Sequence, residues 1–319
     1  MKEQCLRILA SILLGLVIPG FVIRLSAPAI EQPNTETSSV QVEDVVQSRV
    51  LVLMQDNSVQ WMDTDTYITG VILAEMPTTY EMQALCAQAV VARTYAYKRQ
   101  QGQRHPQGAV CTDASCCQAY VDISDFLNGL GYKSDVEVAK QAASATADIV
   151  VTFEEKLIEA TYFQSSGGRT EQAVEVWGVD YPYLQVVTSP GEENLEDYMN
   201  RVFFTKSDLE KTLERALPGT PGSWLGWTTY TAGGGIDQIS LAGITYSGLE
   251  LRRLLCLNST IITIQPESDG LWFTTWGKGH RVGMSQTGAQ AMALQGATWQ
   301  EIIAHYYPGT RIDKMQEVG

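Results

Sequence analysis

Residues 70–97, reading GVILAEMPTTYEMQALCAQAVVARTYAY, constrain this chain more than any other stretch. Two helices are predicted there, meeting at Pro77, which ends the first and suits the first turn of the second. In the first helix Asp63-Thr64-Asp65-Thr66 supplies capping residues. Ile68, Val71, Ile72 and Glu75 fall at i, i+3, i+4 and i+7, so a carboxylate closes an apolar stripe. In the second, Met82, Leu85, Cys86, Ala89 and Val90 form the core stripe, and Gly102 follows its end. Gln88, Arg93, Thr94 and Tyr95 interrupt this otherwise apolar helix, which a helix that only packs does not need. A carboxyl beside an apolar stripe is desolvated, which raises its pKa and suits it to donate a proton; the plain alternative is a helix-end Glu turned to solvent.

The 319 residues allow one large domain or two modest ones. Basic residues number 22 and acidic 36, a net charge of −14, which argues against nucleic acid as a partner because phosphate binding needs clustered Lys and Arg. Sugar binding, through aromatics and hydrogen bonds, remains open. Residues 8–23 are an uncharged apolar run between Arg7 and Arg24, short of the roughly 20 residues of a membrane span unless Leu25 to Ile30 extend it. Lys2 and Arg7 precede the run, placing the N-terminus in the cytoplasm and the rest outside. Ala27-Pro28-Ala29 has the small-x-small form of a signal-peptidase site, so residues 1–30 read as a membrane anchor or a cleaved signal. Residues 31–48 are a polar, flexible linker.

From residue 49 to about 315 the pattern is a single large mixed α+β domain without regular βαβ spacing. A hairpin is expected over Arg49–Met62, a helix over Lys133–Ala147, and a second hairpin over Ile149–Phe163 running into the Gly-rich segment Gln164 to Thr170. Another strand is expected within Val174–Val187, an acidic exposed run at Glu192–Tyr198, and a helix opened by Ser207 with Glu210. Residues 218–235 read as a loop. Strands near Ile236–Leu241, Ile261–Ile264 and Leu271–Thr275, helices after Ser247 and Thr298, and a helix that follows the Gly-rich turn with His280 and is closed by Gly296, complete the chain.

Four separated segments together resemble the stage II sporulation protein D family, which is related to the amidase-enhancer LytB domain. They are GVILAEMP with QALCAQAVVARTYA, Tyr162 to Gly168 with Thr170, Gly279 to Gln286, and His305 to Thr310, in that order. The resemblance implies a lytic transglycosylase that cleaves peptidoglycan strands already stripped of stem peptides, in septal remodelling during engulfment. It implies a partner N-acetylmuramoyl-L-alanine amidase and a membrane scaffold protein, with the catalytic domain outside the cell membrane. The family's acid stands at the position of Glu75. Substrate contacts are expected from Gln88, Arg93, Tyr95, Tyr162, Ser165, Ser166, Gly167, Ser285 and Gln286, with His280 beside them. Arg281 and Thr287 depart from the family pattern, which commonly has Gly and Tyr there. A hydrolytic muramidase and a non-catalytic, glycan-binding enhancer of an amidase are the alternatives.

His105, Cys111 and Cys117 are spaced six and six. Some family members bind zinc through a His and two Cys in this loop, which implies a structural or groove-shaping Zn2+ here. A disulfide from Cys111 to Cys116 or Cys117 is the competing reading, and Cys116 is an additional thiol.

Overall fold

The structure is a computed structural model that describes residues 48–129, 131–194 and 198–317. The expected membrane segment and the linker up to residue 47 lie outside the described residues. The fold is mixed α+β, with short sheets set between helices.

The chain opens with β1 (Arg49–Leu53) and β2 (Val59–Asp63) as an antiparallel hairpin, to which β3 (Val110–Cys111) adds in parallel through Val52 and Leu53. Helix α1 (Thr64–Glu75) starts where the Asp63 side chain accepts from Thr66 N–H at 2.9 Å, and it stops where Met76 turns extended ahead of Pro77. Pro77 does not enter the next helix. Tyr80 N–H donates back to its carbonyl, closing a turn, and α2 (Met82–Gln100) begins only after Glu81.

Helix α2 is the centre of the fold. Every residue from Ala84 to Tyr97 is buried, so it has no solvent face over nearly four turns, and a single core stripe underdescribes it. Around it pack α1, α4 (Lys133–Ala145), β4 (Ile149–Phe153), α8 (Gln286–Leu294) and α9 (Trp299–Tyr306). In the chain the short α3 (Ile123–Asn128) lies between α2 and α4, and it packs against α1.

The second expected hairpin is interrupted. β5 (Lys156–Leu157) pairs with β4, and β14 (Arg311–Lys314) flanks β4 on its other side. The chain then leaves that sheet, and β6 (Tyr162–Phe163) runs parallel to β13 (Met284–Ser285), Tyr162 opposite Met284 and Phe163 opposite Ser285. Within the expected strand 174–187 the structure has instead a short helix, α5 (Ala173–Trp177), closed by Gly178 at φ +70°.

Residues 199–276 build a second core. Two three-stranded antiparallel sheets carry it: β7 (Met199–Thr205), β12 (Gly270–Trp276) and β11 (Ile262–Glu267), and β8 (Leu225–Tyr230), β9 (Ile236–Leu241) and β10 (Ile244–Ser247). Helices α6 (Lys206–Thr212) and α7 (Gly248–Leu254) join them, and Leu209, Trp224, Leu241, Leu251, Leu271 and Phe273 fill the interior. β8 lies inside the expected loop 218–235. The cap of α6 is Thr205 with Asp208, not Ser207 with Glu210.

Candidate functional site

Glu75 ends α1 in a cleft of about 1090 Å³. The chain segment that faces it is laid against α1 by a glycine. A Cβ on Gly70 would stand 2.4 Å from the Tyr120 ring and 2.5 Å from Val121 O, and Val121 N–H donates to Gly70 O at 3.2 Å. This close approach carries Ala119 N–H to Glu75 Oε1 at 2.6 Å. The parallel β6–β13 pair brings in the other contacts. Tyr162 Oη lies 3.2 Å from the same carboxyl oxygen, and Gln286 Nε2 donates to the Glu75 main-chain carbonyl at 3.2 Å.

Burial pushes the Glu75 carboxyl above its usual range, opposed by the bonds from Ala119 N–H and Tyr162. The hydroxyl of Tyr162 has a second acceptor, Gln118 Oε1, at 3.0 Å. Gln118 is oriented by its amide nitrogen, which lies 2.9 Å from Tyr67 Oη and 3.4 Å from Ala92 O; a carbonyl only accepts, so the NH2 group faces it. Tyr162 has one proton for two acceptors. An ionised Glu75 draws that proton, whereas a protonated Glu75 can donate to the tyrosine oxygen while Tyr162 donates to Gln118. The site therefore has a hydrogen-bond arrangement for each protonation state, as a group that gives and retakes a proton requires.

His280 lines the cleft between the rings of Phe163 and Trp177, at 5.6 and 5.2 Å between centroids. Its Nδ1 accepts from Val282 N–H at 3.1 Å. Burial, with the Arg252 charge nearby, lowers its pKa to about 4, so it is neutral near pH 7. Tyr95 also lines the cleft, with the Arg99 guanidinium 4.8 Å above its ring.

The structure does not bring Gln88, Arg93, Ser165, Ser166, Gly167 or Ser285 to the cleft. Gln88 and Arg93 sit on the buried stretch of α2, Ala84–Tyr97. Arg93 binds the carbonyls of Ala143, Thr146 and Ile149 at 2.7–3.3 Å and pairs with Asp65 at 3.1 Å, tying the end of α4 to the start of α1. Ser165, Ser166, Gly167 and Ser285 turn instead to Glu192, which is wholly buried rather than part of an exposed acidic run. Its Oε2 accepts from Ser165 Oγ, Ser166 N and Oγ, and Gly167 N at 2.9–3.1 Å. Its Oε1 accepts from Ser189 Oγ at 2.7 Å and Ser285 Oγ at 2.5 Å. These serines and the glycine amide hold a carboxylate, not a sugar.

Arg281, the departure at a commonly glycine position, keeps a left-handed φ of +68° and is completely buried. Its guanidinium joins Ser166 O and Arg169 O to Thr260 Oγ1 and Gly233 O, with Glu171 at 3.8 Å, and so clamps the second core to the first. Thr287 lines the cleft.

Sequence reasoning missed Gln118 as an orienting group, along with Arg99, Glu159, Arg252 and Lys278, which also line the cleft. Glu159 is the second carboxylate there, ion-paired with Arg99.

The cysteine loop forms the adjoining wall. His105, Cys111, Cys116 and Cys117 place their ligand atoms within 4.8 Å of one another, with His105 Nε2 3.3 Å from Cys116 Sγ and 3.5 Å from Cys117 Sγ. The three thiols are not joined in disulfides. One imidazole and three thiols at this spacing fit a tetrahedral soft-ligand metal site, with Cys116 as the fourth donor.

Residues 54–153 match the family described as stage II sporulation protein. The chain is 32% identical over 265 residues to stage II sporulation protein D of Bacillus subtilis (strain 168), covering 81% of this chain and 77% of that protein. It is 31% identical over 266 residues to stage II sporulation protein D of Bacillus amyloliquefaciens, covering 81% and 76%. Against the amidase enhancer of Bacillus subtilis (strain 168) it is 25% identical over 301 residues, covering 77% of this chain and 40% of that one.

Proposed function

The chain belongs to the stage II sporulation protein D family, and from that premise we propose that it is a lytic transglycosylase of peptidoglycan strands free of stem peptides. The observation that carries this reading is Glu75, a carboxyl raised by burial, hydrogen-bonded to Ala119 and Tyr162, in a large cleft. Protonated Glu75 gives its proton to the oxygen that links muramic acid C1 to the next sugar, and the C1–O bond breaks. The resulting carboxylate takes the proton of the muramic acid 6-hydroxyl, O6 bonds to C1, and a 1,6-anhydro end forms without water. Tyr162, with Gln118 as its second acceptor, has a hydrogen bond for either state of the carboxyl. Gln286 fixes the end of α1. In the cell the domain acts outside the membrane, held by residues 1–30, on strands that an amidase has stripped.

Analysis of products from purified peptide-free strands tests the reaction. Anhydro-muramic ends are expected. Reducing ends alone point to a muramidase using water, with Glu159 as its second carboxylate. Intact strands that bind and stimulate an amidase point to the enhancer function in the name of the 25%-identical relative.

His105, Cys111, Cys116 and Cys117 would hold Zn2+, which, once bound, would fix the loop that leads to Gln118 and Ala119. Elemental analysis of protein purified without chelator is expected to find one zinc per chain, and Cys116→Ser to weaken its retention. Zinc-free protein with a mapped Cys111 disulfide rejects the site.

A further inference from the structure

The cleft gathers positive charge on an acidic chain. The net charge is −14, yet the cleft is lined by Arg99, Arg104, Arg252 and Lys278 against only Glu75 and Glu159. Arg99 is occupied by Glu159. Among the described residues, Arg104, Arg252 and Lys278 have no carboxylate within 4.0 Å.

Arg252 differs from the other two, which are exposed surface cations. It comes from α7 of the second core and is only partly accessible. Its Nε donates to Leu257 O at 3.3 Å, which orients the guanidinium through its own backbone. Its Nη groups meet no acceptor among the described residues. A partly desolvated guanidinium, pre-oriented, with both Nη groups available at the wall of a cleft, is a receptor for a planar anion, and a carboxylate matches its two-pronged geometry. Lys278 lines the same cleft, two residues before His280, held where Ser165 and Lys278 exchange backbone hydrogen bonds at 3.0 and 2.7 Å.

We propose that Arg252, assisted by Lys278, forms a carboxylate subsite that reads the 3-O-lactyl group of muramic acid. This rests on the glycan-cleaving reading above. The chemistry makes the subsite selective. In a peptide-bearing strand the lactyl carbonyl is a neutral amide. Removing the peptide frees a carboxylate on every muramic acid. The cleft thus recognises the product of an amide-hydrolysing reaction, and that reaction must precede cleavage. The selectivity comes from charge recognition as well as from the room that a missing peptide leaves.

The test pairs two ligands with two proteins. Peptide-free strands, and the same strands with their lactyl carboxyls methyl-esterified, are bound to the Glu75→Gln protein with and without Arg252→Gln and Lys278→Gln. Cleavage of both strands by the parent protein is followed alongside. The parent sequence at 252 and 278 is expected to favour the free carboxylate by about 10-fold or more, in line with a hydrogen bond to a charged group. The double substitution is expected to erase that preference by weakening only the carboxylate ligand. Esterification needs no variant, so a misfolded Arg252→Gln does not protect the proposal. Equal binding and cleavage of both strands by the parent overturns the subsite and leaves the glycan reading standing, as does a preference that survives the double substitution. A parent protein that neither binds nor cuts either strand overturns both.

Discussion

Glu75→Gln is expected to lower strand cleavage by about 10³-fold, within the range of 10²–10⁴ for loss of a general acid, while the protein melts close to its parent. The substitution keeps the shape and one acceptor oxygen, so Ala119 N–H stays bonded at the end of α1, and only the transferable proton is lost. The same carboxyl sets the pH dependence. Burial raises its pKa from an ordinary value of 4.5, so the acid form extends toward neutrality, and cleavage falls as pH rises through the folded value. Stability has the same sign. Between the unfolded and the folded pKa the native state holds more protons than the unfolded one, so the parent loses stability as pH rises across that window and levels off above it. Glu75→Gln removes this slope. Cleavage by the Gln variant near the parent rate, or an unchanged pH limb, rejects Glu75 as the acid.

What the sequence disclosed was local. Helix α1 was readable because Asp63, the i, i+3, i+4 spacing and Pro77 all act within one helix length, and they placed Glu75 at its end. The polar residues of α2 were visible but their purpose was not. Spacing predicts an apolar stripe and a solvent face, and nothing local says that α2 is enclosed on every side. In such a helix Arg93 serves as a cap for α4 and a partner for Asp65, rather than a sugar contact. The hydroxyls of the Gly-rich segment were misassigned for a similar reason. Glu192 reads as one of several exposed acids, and its partners at 165, 166 and 285 are far away along the chain. One pairing of two-residue strands, β6 with β13, sets Tyr162 and Gln286 around Glu75, and so short a parallel contact has no periodic signal. The second core was read only in pieces: the strands at Ile236–Leu241, Ile262–Glu267 and Gly270–Trp276 were legible, whereas β8 lies among Gly, Pro and Trp, and nothing local showed that these strands close around a core of their own. Arg252 was therefore missed, although it lies on a helix whose cap, Ser247, had been legible.

Glu192→Leu is expected to be the most damaging single change to stability, lowering the unfolding free energy by about 3–5 kcal/mol, the usual range for removing one side of a buried charged network. Six donors converge on this carboxylate, and two of them, the backbone amides of Ser166 and Gly167, cannot rotate toward another acceptor. Leucine leaves both without this acceptor, and Ser166 is wholly buried. Glu192→Gln separates charge from geometry. Its carbonyl can face the two amides, and its NH2 group then faces Ser189 and Ser285, whose hydroxyls can turn to accept. The glutamine variant therefore loses less, about 1–2 kcal/mol, and the order Leu worse than Gln follows from which donors can reorient. Urea titration of the three proteins measures this directly. A functional readout accompanies it, because Ser285 caps α8 through Gly288 N–H at 3.1 Å, and Gln286, the first residue of that helix, holds the main chain at Glu75. Cleavage by the folded fraction of Glu192→Gln is expected to fall several-fold, with the fall in turnover and not in strand binding, since the residues beside Glu75 shift while Arg252 and Lys278 stay in place. A Glu192→Leu protein that unfolds at the same urea concentration as its parent shows that the serines were never held by this carboxylate.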